Sequence, residues 1–159
     1  MKPARRIIAV IGDNACDART AKTAEEVGRL LAQKGAVVLT GGYGGVMEAA
    51  SRGAKKAGGL TMAILSGKDR ERMNPWVDLP VVTGMRHARN AAIAFTADGV
   101  IAVSGGYGTL SEISFALLAS KPVVGLKSWK IHRRGSAASP FSNVSTPLQA
   151  VQLLFRKLS

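Results

Sequence analysis

Hydrophobic residues along this chain fall alternately into short unbroken runs and into stretches with helical spacing. The first run occupies 6–11, and the stretch 20–34 repeats apolar residues three and four positions apart. Short apolar runs bounded by turn residues are typical of strands that are covered on both faces. The pattern therefore predicts a strand followed by a helix, and Gly35 is expected to end that helix in a left-handed conformation.

The same alternation continues along the rest of the chain. It predicts the following further elements: strands at 36–39, 60–64, 99–103 and 122–126, and helices at 46–57, 86–96, 110–119 and 148–158. Strands that alternate with helices pair in parallel, because each right-handed crossover places a helix on one face of the sheet. The sequence therefore predicts an α/β fold, a doubly wound parallel Rossmann-like sheet with helices on both faces, in one domain over 1–159.

Two segments interrupt this pattern. The segment 65–80 is polar and contains glycine, asparagine and two prolines, so it is interpreted as a long loop that covers a functional site. The segment 127–147 is rich in serine, proline and basic residues and has no usable periodicity. It is interpreted as a mobile loop.

The charge of the chain is strongly positive, with 22 Lys and Arg against 10 Asp and Glu and a formal net charge of +12. Such a surface attracts anions of any kind, so nucleic acid is one partner to consider. Scattered basic residues also keep a protein soluble, and only Lys130-Ile131-His132-Arg133-Arg134 forms a dense basic run.

The single cysteine, Cys16, excludes an internal disulfide, and no Cys/His spacing resembles a zinc site. We therefore expect a cytoplasmic protein without a structural metal. The apolar run near the N-terminus is too short for a signal peptide, and no later stretch is long enough to span a membrane.

Two glycine-rich segments, Gly41-Gly42-Tyr43-Gly44-Gly45 and Gly105-Gly106-Tyr107-Gly108-Thr109, each follow a predicted strand. Glycines allow the backbone to approach a ligand closely, so that N–H groups and the start of the next helix can surround phosphate oxygens. The alternative is that they are only tight turns. Neither segment has the third glycine of a dinucleotide fingerprint, and no Walker A sequence is present, so a mononucleotide or related phosphate is favoured over NAD or NTP hydrolysis.

Three motifs together carry a resemblance to a known family: residues 41–50, the segment Gly84-Met85-Arg86-His87-Ala88-Arg89-Asn90, and residues 104–112. Their order and spacing resemble the signature of the LOG-like superfamily over residues 7 to 126. That superfamily includes the LONELY GUY phosphoribohydrolases, the molybdenum cofactor carrier proteins and, more distantly, the Rossmann domain of DNA-processing protein A. The resemblance implies a homo-oligomer, a dimer or tetramer, for which the apolar faces of helix 86–96 and of the helix after Gly108 could supply the interface.

In the phosphoribohydrolases the pattern Pro-Gly-Gly-x-Gly-Thr-x-x-Glu binds the 5′-phosphate, and its Glu acts with an Arg at the ribose. The resemblance places these catalytic roles on Glu112 and Arg89, where Arg89 would hold Glu112 ionised. Ser104 replaces the proline of that pattern, and Asn90 replaces the usual lysine after the arginine. Both departures resemble the carrier branch. The favoured function is therefore binding of molybdenum cofactor or a related phosphorylated pterin or nucleotide, with nucleoside 5′-monophosphate hydrolysis and single-stranded DNA binding as alternatives.

Fold position and resemblance together give the residues that are expected to contact the ligand: Gly12, Asn14, Gly41, Gly42, Tyr43, Gly44, Gly45, Met85, Arg89, Gly105, Gly106, Tyr107, Gly108 and Thr109.

Several of these residues have a simpler structural interpretation. Glu112 could close a capping box with Thr109, and Arg89 could be a surface arginine paired with Glu48. The two tyrosines could stack on a base or pterin, or could only pack. His87 and His132 lack partners for catalysis or metal binding and are placed outside the site.

Overall fold

The computed structural model describes residues 5–159, and it contains seven strands and five α-helices. The strands are β1 Ile7–Ile11, β2 Val37–Thr40, β3 Leu60–Leu65, β4 Leu79–Val82, β5 Gly99–Val103, β6 Val123–Leu126 and β7 Ser142–Val144. The helices are α1 Ala18–Gln33, α2 Gly45–Lys56, α3 Arg89–Thr96, α4 Tyr107–Leu118 and α5 Pro147–Leu158, and a single 3₁₀ turn, Arg86–Ala88, leads into α3.

All seven strands form one sheet in the order β4-β3-β2-β1-β5-β6-β7, and every neighbouring pair is parallel. Strand β1 lies at the centre, where Ile8 is paired with Val38 of β2 on one side and with Gly99 of β5 on the other. The strand order reverses between β1 and β5, and ligands bind at such a point beyond the carboxyl ends of the strands. The predicted doubly wound parallel sheet is confirmed.

The two faces of the sheet bury separate hydrophobic clusters. Ile8 and Val10 of β1 point to the face covered by α1, α2 and α5, whereas Ala9 and Ile11 point to the face covered by α3 and α4. Because successive side chains of each strand are buried on opposite faces, strands such as β2 and β5 are buried along their whole length. This burial explains the unbroken apolar runs.

Local signals fix the ends of the helices. The carboxylate of Asp17 accepts the backbone N–H of Thr20 and caps the start of α1, and Gly35 follows its end at φ 75°, as predicted. Helix α5 begins with a capping box between Thr146 and Gln149.

The interpretation of 127–147 as a mobile loop is wrong in part, since β7 pairs with β6 within it and Phe141 is buried against the core. A short edge strand built from serine and asparagine carries no apolar run, so its composition resembled that of a loop. The predicted loop over 65–80 ends earlier, because β4 begins at Leu79. Among the described residues no helix has the length and apolar character that crossing a membrane requires.

Candidate ligand-binding site

A cavity of about 160 Å³ lies at the switch point, at the carboxyl ends of β1, β2 and β5. Four parts of the chain surround it: the turn after β1, the first turn of α2, the segment leading into α3, and the first turn of α4. The polar or glycine positions in its lining are Gly12, Asp13, Asn14, Gly41, His87, Arg89, Asn90, Gly108, Thr109 and Glu112. The location agrees with the rule for doubly wound sheets.

The turn after β1 joins the two glycine-rich loops. The side-chain oxygen of Asn14 accepts the N–H of Gly44 at 2.9 Å, and a carboxylate oxygen of Asp13 accepts the N–H of Gly106 at 2.8 Å. The N–H of Gly42 is also occupied, by the hydroxyl of Thr40. These three glycine amides are therefore not free for a ligand, because they already have acceptors within the protein.

The first turn of α4 remains open to a ligand. Its N-cap residue, Gly106, has no side chain to cap the following amides, and the first N–H groups of any helix lack acceptors within the helix. Gly108 lies at the cavity, and a Cβ atom there would meet nothing within 4 Å. The neighbouring Thr109 is 2% exposed, and its hydroxyl has no hydrogen-bond partner. An unsatisfied buried hydroxyl costs about 1–3 kcal/mol, and a ligand oxygen at this turn would recover that energy.

Arg89 is fixed in place rather than free on the surface. Its Nη1 donates to the carbonyl oxygens of Gly41 and Ile64, at the ends of β2 and β3, and its Nε donates to the side chain of Asn90. Burial lowers the pKa of the guanidinium from its usual value, and the nearby Glu112 carboxyl opposes that change. The suggested pairing of Arg89 with Glu48 is wrong.

Asn90 connects Arg89 to the open turn of α4. While its Oδ1 accepts from Arg89, its Nδ2 donates to the hydroxyl of Ser111 at 3.0 Å, and Ser111 in turn donates to the carbonyl of Gly108 at 2.7 Å. Lysine has no acceptor and could not make the first of these bonds. The sequence motif identified Asn90 only as a departure from the hydrolase pattern, whereas in the structure its side chain positions Arg89 relative to Ser111.

Glu112 is a buried carboxyl group that faces the cavity. It is 8% exposed. Among the described residues, the carboxylates that form ion pairs within 4.0 Å are Glu25, Glu26, Glu48 and Asp78, so Glu112 forms none. Burial raises the pKa of Glu112 to about 8, and the positive charge of Arg89 offsets that effect only in part. Burial thus works against the expectation that Arg89 holds Glu112 ionised, because it favours the neutral carboxyl group, which can donate a hydrogen bond.

The capping-box interpretation of Glu112 is also wrong. Helix α4 begins at Tyr107, three residues before the predicted start at 110, so Glu112 is its sixth residue and lies beyond the capping positions.

The raised pKa of Glu112 predicts a pH-dependent stability. Between about pH 4 and pH 8 the unfolded chain loses this proton while the folded protein keeps it, so the free energy of unfolding falls as pH rises, by no more than roughly 5 kcal/mol. Glu112→Gln removes the ionisable group and keeps its shape. The stability of the variant relative to wild type should therefore rise from acid to alkaline pH, as measured by urea denaturation. Parallel pH profiles for the two proteins would contradict the burial of an ionisable group at this position.

The two tyrosines of the glycine-rich loops have different surroundings. The hydroxyl of Tyr43 accepts the N–H of Gly67, and the guanidinium groups of Arg72 and Arg89 lie 5.9 and 5.7 Å from its ring centre, so Tyr43 packs. Tyr107 is 83% exposed and lies beside Trp129, whose indole N–H donates to the carbonyl of Gly106. Trp129 was missed because it lies in the segment interpreted as a mobile loop.

The structure brings about half of the predicted ligand-binding set to the cavity. Six residues of that set line it: Gly12, Asn14, Gly41, Arg89, Gly108 and Thr109. Glu112, which was predicted as a catalytic residue, lines it as well. The others lie outside its lining: Gly42, Tyr43, Gly44, Gly45, Met85, Gly105, Gly106 and Tyr107. Asp13, Met47, His87 and Asn90 also line the cavity, so His87, which was placed outside the site, lies beside it.

Two further features concern a possible subunit interface and the binding of metal ions. Phe95 of α3 and Leu118 of α4 are 50% and 76% exposed on the helices that were expected to form a subunit interface. Within residues 5–159 no group of three or more His, Cys, Asp or Glu side chains is arranged to hold a metal ion.

The sequence and the fold are similar to known proteins. The model of the SLOG cluster4 family matches residues 5–151. The molybdenum cofactor binding protein of Rippkaea orientalis has a TM-score of 0.90 and 36% identity, with 99% of this chain and 100% of that chain covered. The molybdenum cofactor carrier protein of Chlamydomonas reinhardtii has a TM-score of 0.81 and 31% identity, with 96% and 98% covered.

A more distant structure, DNA processing protein A of Streptococcus pneumoniae, has a TM-score of 0.71 and 21% identity over 93% of this chain and 61% of that chain. This likeness shows the fold alone. Together the matches confirm the resemblance inferred from the three motifs.

Proposed function

This chain belongs to the SLOG cluster4 family, and we propose that it binds a small phosphorylated ligand of the pterin or nucleotide class and carries it unchanged, with molybdenum cofactor as the leading candidate. Support comes from the similarity, over nearly the whole chain, to one protein described as binding this cofactor and another described as carrying it. The formal charge of +12 favours an anionic ligand in general.

The observation that carries the proposal is the open first turn of α4. Unpaired backbone N–H groups at the start of a helix, together with the positive end of its dipole, form a site suited to phosphate. Here the turn contains Gly108, which leaves the space above the backbone empty, and the unpartnered buried hydroxyl of Thr109. A phosphate bound there would receive bonds from the backbone and from Thr109.

The remaining polar groups complete the binding environment. The protonated carboxyl of Glu112 can donate a hydrogen bond to a ligand oxygen without bringing a negative charge near the phosphate. The guanidinium of Arg89 contributes positive charge, although its Nη1 and Nε already donate to protein acceptors.

These features favour carrying over hydrolysis. The role that the hydrolase pattern gives to Glu112 needs an ionised carboxylate that orients water and stabilises positive charge on the sugar, and burial of Glu112 raises its pKa and so works against that ionisation. Single-stranded DNA binding has less support, because Tyr43 packs against the protein and leaves Tyr107 as the exposed aromatic residue of the two glycine-rich loops.

The proposal predicts what the purified protein retains. Mass spectrometry of the molecules released on denaturation should find a phosphorylated pterin or nucleotide in molar proportion to the protein. Incubation with AMP should release no adenine above the rate without protein. Steady release of adenine and ribose 5-phosphate would instead establish a phosphoribohydrolase, and retention of oligonucleotides alone would favour nucleic-acid binding.

A further inference from the structure

A second cavity adjoins the proposed ligand site. It has a volume of about 310 Å³, it is lined by Ser66, Arg86, His87 and Arg89, and it shares the last two of these residues with the first cavity. The two cavities therefore share His87 and Arg89 in their walls. In the second cavity, Ser66 directly follows the end of β3.

The volumes show that the first cavity is too small to be the whole site. Sites for small organic molecules usually enclose about 300–1,000 Å³. The first cavity, at 160 Å³, is below that range and suits a phosphate group with its immediate attachment. The adjoining second cavity, at about 310 Å³, lies within that range.

The lining of the second cavity fits an anion. It comprises a hydroxyl, two arginines and a histidine, with no carboxylate. Arg86 and His87 are exposed and take part in none of the side-chain hydrogen bonds or ion pairs found among the described residues. A cavity whose charged lining is entirely basic attracts negative groups, and arginine is well suited to oxyanions with several acceptor oxygens.

The backbone holds Arg86 in a conformation that arginine rarely adopts. Its φ is 52°, in the left-handed region, and its N–H donates to the carbonyl of Ser66 at 3.0 Å. A second bond, from the N–H of Gly84 to the carbonyl of Gly67, ties the same turn to the end of β3. A non-glycine residue in this region is strained, and such strain persists where the surrounding structure enforces it and often serves a site. Here the turn places two basic side chains at the cavity.

We propose that Arg86 and His87, with Ser66, form a second anion subsite, so that the ligand carries two separate anionic groups. This inference deepens the proposed function and rests on it: one group binds at the first turn of α4, and the other is a compact tetrahedral oxyanion at Arg86. A second phosphate and a metal oxyanion such as molybdate share this chemistry. Arg89 and His87, between the two subsites, contact the part of the ligand that joins them.

The test measures binding of small anions by isothermal titration calorimetry to the wild-type protein and to Arg86→Asn. Asparagine tolerates the left-handed region, so the backbone of the turn is kept while the charge is lost. Arg156→Ala, on the exposed side of α5, is the matched control for loss of one positive charge. Molybdate is titrated in the presence of saturating AMP, whose single phosphate fills the site at α4, because free inorganic phosphate would also compete for the second subsite. AMP is also compared with ADP.

If the subsite takes a metal oxyanion, molybdate binds to the AMP-saturated protein and Arg86→Asn weakens it roughly tenfold or more, with AMP affinity unchanged. If it takes a second phosphate, ADP binds more tightly than AMP and Arg86→Asn removes the difference. Mutual exclusion of molybdate and AMP, with AMP and ADP binding equally, overturns the inference. Absence of AMP binding, together with molybdate binding that depends on Arg86, would instead reject the proposed site at α4 and leave the second subsite standing.

Discussion

Replacing Gly108 with valine is expected to lower the affinity for a phosphate-bearing ligand by roughly 10- to 100-fold while the protein stays folded. The side chain would enter the empty space above the first turn of α4 and block access to the backbone N–H groups there. Losing one or two charge-assisted hydrogen bonds costs about 1.5–3 kcal/mol, and each 1.4 kcal/mol is about tenfold in affinity. Calorimetric titration with inorganic phosphate and with AMP measures the effect.

The fold should tolerate this change, because Gly108 is helical and, apart from its chain neighbours and the adjacent backbone of its own helix, no atom of residues 5–159 lies within 4 Å of the new Cβ atom. Valine is a slightly better helix former than glycine, so the free energy of unfolding should change by less than about 1 kcal/mol. Ser114→Val, on the exposed side of the same helix, is the matched control and should bind phosphate like wild type. Unchanged affinity in Gly108→Val would show that phosphate does not bind at this turn.

The sheet was predictable because its strands are buried on both faces. Residues such as Val100 and Ile101 are adjacent in sequence and point to opposite cores, so burial appears directly as an apolar run. The rule for parallel crossovers then supplied the topology, and the rule for strand ends supplied the place of the cavity. Strand β7 could not be found in this way, because at the sheet edge its Ser142 and Asn143 are exposed.

The site was predictable in position but not in chemistry. Its glycines and Arg89 could be identified from motifs, yet the acceptors of the loop amides, Asp13 and Asn14, come from a turn 30 or more residues away in the chain. The protonation of Glu112 depends on how deeply α4 buries it, which the motif does not encode. A sequence pattern therefore indicated which residues meet, while their charge states and hydrogen bonds required the structure.

The largest loss of stability is expected from a methyl group at Gly28 or Gly53. Each of these glycines lies against the backbone of the other helix. A Cβ atom at Gly28 of α1 would lie 1.9 Å from the carbonyl oxygen of Ala50 in α2. A Cβ atom at Gly53 of α2 would lie 1.9 Å from the carbonyl oxygen of Glu25 in α1. Real Cβ atoms do not approach backbone oxygens this closely. Either alanine therefore forces the two helices apart.

Alanine at Gly28 or Gly53 changes the free energy of unfolding in two opposite ways, and the larger contribution decides the sign. Alanine in place of glycine gains about 1 kcal/mol of helix propensity, whereas overpacking a core usually costs about 1–3 kcal/mol and costs more when the obstacle is backbone. Separation of α1 from α2 also lengthens the ion pairs that Glu25 makes with Arg52 and Lys56. We expect Gly28→Ala to lower the free energy of unfolding by roughly 2–3 kcal/mol and the melting temperature by roughly 5–10 °C.

The double variant Gly28→Ala/Gly53→Ala tests whether the two losses of stability have one cause, the contact between α1 and α2, or two independent causes. Once one methyl group has moved the helices apart, the second meets less resistance, so the combined loss should be smaller than the sum of the two single losses. Gly108→Ala makes the same chemical change in a helix where the new atom meets nothing, and it should leave stability equal or slightly higher. Thermal unfolding of the four variants tests the comparison. A melting temperature for Gly28→Ala at or above that of wild type would show that the close approach of α1 and α2 does not constrain the fold.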